Sequence, residues 1–242
     1  MEYIQNLVEY FDELYPVTDT IKKFYEEITK SLPSPTKVLS IGANTGNLEF
    51  FLAKQGCDVT GIENFPPLLE AANLKRRNQL LSIRFFTLPH TEIAKYLGKK
   101  FYNVINILEN NIAYNSDGQK IQQLFMDLRE IAADDSVIVL QLFNFDLLIE
   151  NSSIDLPAKT SMRAKLFSKI CDKDGRTSIS SRLQTWNDRQ IPIIQDGEMY
   201  PLKKDEIEWY AKKAGFKTVD FYSDFEGSPL NDSSLEVVAV IR

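Results

Sequence analysis

Apolar side chains recur along this chain with two periods, and the change between them sets out its organisation. Ile4, Leu7, Val8, Phe11 and Leu14 follow helical spacing, and Ile21, Phe24, Tyr25 and Ile28 do so again. A break at Tyr15-Pro16 separates the two sets, so residues 1–33 are expected to form two amphipathic helices. Ser31 to Pro35, "SLPSP", reads as a linker. From there, short and nearly continuous apolar runs alternate with helical patterns. Strands are expected at 37–41, 58–62, 83–87, 102–108 and 136–143, and helices at 47–55, 67–78, 91–97 and 119–132. The last helix carries one apolar stripe of Ile121, Leu124, Phe125, Leu128, Ile131 and Ala132. Apolar strands alternating with helices imply a parallel sheet covered on both faces.

The period shortens after about residue 150. "AKLFSKICDKDGRTSISSRLQTWNDRQIPIIQDGEMYPL" has strand-like runs broken by Asp-Gly and Asn-Asp turns, the pattern of an antiparallel meander. A helix is expected over 203–214, with Gly215 as its C-cap, followed by an antiparallel strand pair in "KTVDFYSDF" and "LEVVAVIR".

Composition narrows the function classes. With 242 residues the chain can bury a sizeable core, and its apolar share of 43% and charged share of 26% are those of a globular domain. A formal charge of −6 argues against nucleic acid as a partner, because phosphates demand a basic face. Two cysteines and one histidine leave neither a disulfide framework nor a zinc cluster, so no metal is expected. No stretch approaches the ~20 apolar residues of a membrane span, and the start lacks a basic n-region, so a cytoplasmic protein without a membrane partner is expected.

Between the first two expected strands lies the turn Gly42-Ala43-Asn44-Thr45-Gly46. A dinucleotide fingerprint would need glycines at 42, 44 and 47, and only the first is present, which weakens a nicotinamide reading. Gly42 lets the chain leave the strand tightly, and Gly46 lets backbone approach a ligand at a helix start. Glu63 ends the second strand 21 residues after Gly42, where a carboxylate can accept both hydroxyls of a ribose. That assignment gives Glu63 no structural duty, so its removal is expected to cost ligand affinity by about 1–3 kcal/mol and leave the fold untouched.

The turn and the acid after it resemble motif I of class I S-adenosylmethionine (SAM)-dependent methyltransferases, with Ser40 in place of the usual acid and Asn44 in place of the middle glycine. "FYNVINILENNIAY", "VIVLQLFNFDLL", "EYFDELYP" and "MYPLKKDEIEWYAKKAGFKTVDFYSDFEGSPL" are similar to further segments of a small-molecule, glycine N-methyltransferase-like subgroup. The resemblance implies a Rossmann-like, doubly wound α/β fold: a mostly parallel seven-stranded sheet with an antiparallel last strand, plus a small antiparallel β insertion. Its expected organisation is an N-terminal helical lid at 1–34, a SAM-binding core at 35–150 and 201–242, and an antiparallel insertion at 151–200 forming a substrate wall or lid.

SAM is the cofactor so implied, and a small molecule the methyl acceptor. Gly42, Ala43, Asn44, Gly46, Glu63, Asn64 and Asn110 are the expected cofactor contacts, with Pro89 and His90 where the family often carries an Asp for the adenine. Asn110, Asn144, Tyr15, Tyr200 and His90 are the candidates for positioning the reactants, and Arg182, Trp186 and Asp146 for touching the acceptor. For Asn110 and Asn144 the competing reading is capping of a turn or helix. Ser40, Asn44 and Pro89 also motivate an alternative, a degenerate member that senses SAM or binds proteins without catalysis.

Overall fold

The computed structural model describes residues 4–77, 79–114, 117–150 and 152–242. After two 3-10 turns come α1 (Phe11–Leu14) and α2 (Asp19–Lys30). An alternating run follows: β1 (Lys37–Ile41), α3 (Asn47–Lys54), β2 (Asp58–Ile62), α4 (Pro66–Arg76) and β3 (Ile83–Phe86). It continues through α5 (Ile93–Tyr96), β4 (Tyr102–Ile107), α6 (Gly118–Ile131) and β5 (Ala132–Phe143). Five antiparallel strands come next: β6 (Ser153–Asp155), β7 (Lys159–Thr160), β8 (Ala164–Lys173), β9 (Arg176–Thr185) and β10 (Gln190–Glu198). The described chain closes with α7 (Lys204–Ala214), β11 (Val219–Tyr222) and β12 (Glu236–Ile241).

The main sheet has the order β11-β12-β5-β4-β1-β2-β3. Strands β1 to β5 run parallel, and β12 is antiparallel to both of its neighbours. Every residue of β4 is buried, as is all of β1 beyond its first residue, because helices cover both faces. In register, Ser40 stands between Gly61 of β2 and Asn106 of β4. The carboxyl ends of the central strands therefore converge on one edge, where ligands of open α/β sheets bind.

Gly61 is needed for this packing. A Cβ there would lie 2.4 Å from the Phe85 ring and 2.9 Å from the Ala43 Cβ. The smaller sheet, β10-β9-β8-β6 with β7 beside β8, stands over the same edge.

The N-terminal segment departs from expectation. Ile4 to Leu14 form two 3-10 turns and the short α1 instead of one amphipathic helix. Leu7, Phe11 and Leu14 are buried against Leu68 of α4 and against Ala164, Leu166, Leu183 and Ile193 of the smaller sheet. Packing into that wedge outweighs the helical propensity of so short a segment, which is marginal alone. The expected helix 91–97 divides into a 3-10 turn at His90–Glu92 and α5, and β5 starts four residues before the expected 136. The last residue of the expected helix 67–78 lies outside the described residues.

Candidate active site

The turn after β1 is held from both sides. The backbone N–H groups of Gly42 and Ala43 both donate to the Ile62 carbonyl at 2.9 Å. Gly42 adopts a left-handed conformation (φ 76°), and a Cβ there would lie 2.3 Å from Cγ of Asn111, so only glycine fits. Asn44 is also left-handed (φ 51°), and its side-chain amide donates to the Gly42 carbonyl at 3.0 Å. This local bond is what lets an asparagine hold the conformation. Gly46 (φ 81°) starts α3.

Glu63 is buried at the tip of β2 and turned towards the turn. Its Oε2 accepts from the Asn44 N–H at 2.8 Å and its Oε1 from the Phe65 N–H at 2.7 Å. Burial pushes its carboxyl above the ordinary range, and the N–H groups of Phe65, Asn44 and Asn64 oppose that rise. Each carboxylate oxygen retains a second lone pair, enough for two ribose hydroxyls. The expectation of no structural duty is thus overturned, since Glu63 satisfies two loop amides.

Beneath the turn lies a cavity of about 80 Å³, lined among others by Tyr15, Ser40, Gly42, Asn44, Glu49 and Asn106. Ligand pockets run to roughly 300–1,000 Å³, so this cavity, covered by the segment from Tyr15 to Ile21, is smaller as it stands than a nucleoside needs. A buried polar chain forms its floor. Tyr25 Oη donates to Asn106 Oδ1 at 2.8 Å, and Asn106 Nδ2 donates to Ser40 Oγ at 3.3 Å. The Glu49 carboxyl lines the same cavity beside Ser40; burial pushes it up to about 7, and the Ser40 hydroxyl pulls the other way.

Tyr15 and Glu109 line this cavity and also a second one of about 590 Å³, walled by the smaller sheet and by the segment from Asn231 to Glu236. The larger cavity holds Glu109, Glu236 and Lys159 with Tyr114, Gln141 and several serines. Glu109 lies deep in the molecule, yet 34% of its side chain is open to the cavity. Burial raises its pKa; Lys159, 3.6 Å away, lowers it, and Glu236 adds to the rise. Burial, then Glu109, pushes the Tyr114 phenol up to about 12. Gln141 ties the acids together: its Oε1 accepts from the Glu109 N–H at 2.6 Å, and its Nε2 donates to Glu236 at 3.1 Å. Lys159 Nζ also stands 4.3 Å from the centre of the Tyr15 ring.

The other sequence candidates divide by position. Asn110 lines the larger cavity, but its Oδ1 accepts from the Phe143 N–H at 2.6 Å, so it clamps the end of β4 to the end of β5. Asn144 lines neither cavity; its Oδ1 caps the Asp146 N–H and its Nδ2 donates to the Ser234 carbonyl, the contacts of the capping reading. Tyr200 also lines neither cavity, and its hydroxyl donates to Glu206 at 2.6 Å, anchoring the start of α7. Asp146 and Asn64 are exposed and line neither cavity, as is Pro89, with His90 beside it at the start of a 3-10 turn after β3. Arg182 stacks on Phe167 in a different groove and Trp186 is 79% exposed at a hairpin end, so neither lines the larger cavity.

Glu49, Glu109, Tyr114, Lys159 and Glu236 line the two cavities although sequence patterns did not pick them out. Only Glu109 carried a usable signal, since it directly precedes Asn110 at the end of an apolar strand. Among the described residues no group of acids, histidines and cysteines could hold a metal, and no helix is long and apolar enough to cross a membrane.

No protein-family model matches the chain. A putative methyltransferase of Geobacillus sp. (strain WCH70) is 26% identical over 106 residues, a match spanning 44% of this chain and 42% of that relative's length. Glycine/sarcosine N-methyltransferase of Aphanothece halophytica is 21% identical over 236 residues, 93% of this chain and 83% of the relative. Among solved structures, the CcbJ methyltransferase of Streptomyces caelestis superposes with a TM-score of 0.78 at 19% identity, covering 100% of this chain and 98% of that one. SAM-bound CalS10, an amino pentose methyltransferase of Micromonospora echinaspora, gives 0.67 at 14% identity over 92% of each chain.

Proposed function

We propose that this chain, which has the fold of the class I SAM-dependent methyltransferases of small molecules, transfers a methyl group from SAM to a polar acceptor bearing an amine. One observation carries the reading: the cavity under the glycine turn and the larger one share Tyr15 and Glu109 as a common wall.

The turn residues Gly42, Ala43 and Asn44 would hold the nucleoside, and Glu63 its ribose, through lone pairs left free by the Asn44 and Phe65 amides. When bound, SAM supplies a methyl group activated on a sulfonium and open to in-line displacement by the acceptor. The protein's share is alignment and exclusion of water. Tyr15 shields the junction, and the Asn110 clamp keeps the loop after β4 in shape beside it.

Glu109 and Glu236 give the larger cavity a negative side suited to an ammonium. An amine attacks only as the free base, and a carboxylate with a raised pKa is a fitting proton acceptor at that point. Lys159 balances the charge and steadies Glu109, while Ser168, Ser181, Ser223 and Ser233 offer hydrogen bonds to a polyhydroxylated or carboxylate-bearing body. Small amines are also what the glycine/sarcosine relative and the amino pentose enzyme act on by name.

The test is transfer of labelled methyl from SAM to a panel of amino acids, amino sugars, thiols and phenols. Methylation of at least one amine, abolished in Glu109→Gln with S-adenosylhomocysteine binding intact, is the expected result. Turnover confined to thiols or phenols would remove the amine assignment.

A further inference from the structure

Position 40 ends in a hydroxyl, although a ligand with a cationic α-ammonium lying under the turn would call for an acid there. Resting on the SAM-binding reading above, we propose that the acid has moved: Glu49, the third residue of α3, reaches back under the turn and is the anionic contact for the α-ammonium of the cofactor's aminoacyl end.

Three observations support this. Glu49 is 4% exposed, and it lines the small cavity together with Ser40, Asn106 and Tyr15. The polar chain beneath the turn runs in one direction: the Tyr25 hydroxyl donates to Asn106 and the Asn106 amide donates to Ser40, whose own hydroxyl proton remains to favour the ionised Glu49 carboxyl beside it. The carboxylate lies at the acceptor end of this chain and lines the cavity, so it can receive a further donor from there. Among the described residues no ion pair offsets its charge. Lys75 of α4, whose field reaches it, is bonded to Asp12 at 2.6 Å, and Glu63 at the end of β2 repels it.

A buried carboxylate without a cation is costly and takes up a proton instead. Burial accordingly pushes Glu49 up to about 7 against the pull of Ser40, the helix N–H and Lys75. An ammonium arriving in the cavity would supply the missing charge and favour the ionised form. Ser40 then orients the acid, in place of being a lost contact.

Calorimetry separates the proposal from the reading beneath it, with two probes: S-adenosylhomocysteine, which carries the aminoacyl tail, and 5′-methylthioadenosine, which lacks it. Glu49→Gln is expected to weaken the first by about 10- to 100-fold, the worth of a hydrogen bond to a charged group, and to leave the second unchanged. Adding Ser40→Asp to Glu49→Gln should recover part of the loss by returning an acid to the strand end. In the unsubstituted protein, affinity for S-adenosylhomocysteine should rise as pH passes upward through 7 while that for 5′-methylthioadenosine stays level, a readout that needs no variant to fold. Equal losses for both probes, or none for either, would overturn the role of Glu49 alone. If the unsubstituted protein binds neither probe, the SAM reading falls with it.

Discussion

The Glu63 carboxylate and the Asn44 backbone N–H are joined by a 2.8 Å hydrogen bond that ties the tip of β2 to the crest of the turn after β1. The other Glu63 oxygen holds the Phe65 N–H at 2.7 Å, so one side chain shapes two loops that flank the proposed nucleoside site. Removing it strands two amides at once.

Glu63→Ala is therefore expected to lower unfolding free energy by about 1–3 kcal/mol, as well as weakening S-adenosylhomocysteine binding. Denaturant titration beside calorimetry measures both. An unchanged denaturation midpoint would show that the two loop amides find other partners.

Gly42→Ala should be destabilising and should abolish binding. The left-handed φ of 76° alone costs an alanine about 1–2 kcal/mol. Its Cβ would also displace the Asn111 amide, which donates to the Leu108 carbonyl at 2.7 Å. Crystallography of the variant should show Asn111 in a new rotamer; a side chain left in position with full ligand affinity would contradict the contact.

Glu49 gives stability a slope with pH. Its pKa rises from 4.5 to about 7 on folding, because burial disfavours the charge. The folded state therefore binds the extra proton. The stability this contributes is fully present below about 4.5 and is lost as pH rises through 7. The full swing is up to about 3 kcal/mol. Glu49→Gln should flatten that part of the profile in thermal unfolding across the range, and an unaltered slope would assign it to other groups.

Lys159→Met tests the balance of the larger cavity. It removes the charge that lowers the Glu109 pKa, so the base should titrate higher still. The acidic limb of the kcat/KM profile should move to higher pH, with cofactor affinity nearly unchanged. A profile that does not shift would show that Lys159 and Glu109 are uncoupled in solution.

The N-terminal cover is pinned by charge. Asp12 bonds Lys75 at 2.6 Å and Thr45 at 2.6 Å, while Arg163 holds Glu9 and Glu13 at 2.9 and 2.6 Å. Pairs this open to solvent, from about a third to two-thirds exposed, are screened by salt, the Asp12–Lys75 pair least of them. Cofactor association, followed by stopped-flow fluorescence, should quicken with ionic strength, and the dependence should shrink in Asp12→Asn. Equal salt dependence in both proteins would exclude the Asp12 pin as the barrier to entry.

Local pattern determined the order of strands and helices, the parallel core, the meander and the turn at Gly42, because burial on two faces and the need for φ above zero leave marks within a few residues. Glu63 was legible for the same reason, at a set distance beyond the glycine turn. Tertiary structure alone decided which acids line the two cavities. Glu49 meets Ser40 only because α3 folds back under its own turn, and Glu109 meets Lys159 and Glu236 from β7 and β12, elements separate in sequence. It also decided that Asn144 and Tyr200 are consumed by capping and anchoring, since a polar side chain's partner is set by what packs beside it and not by its own identity.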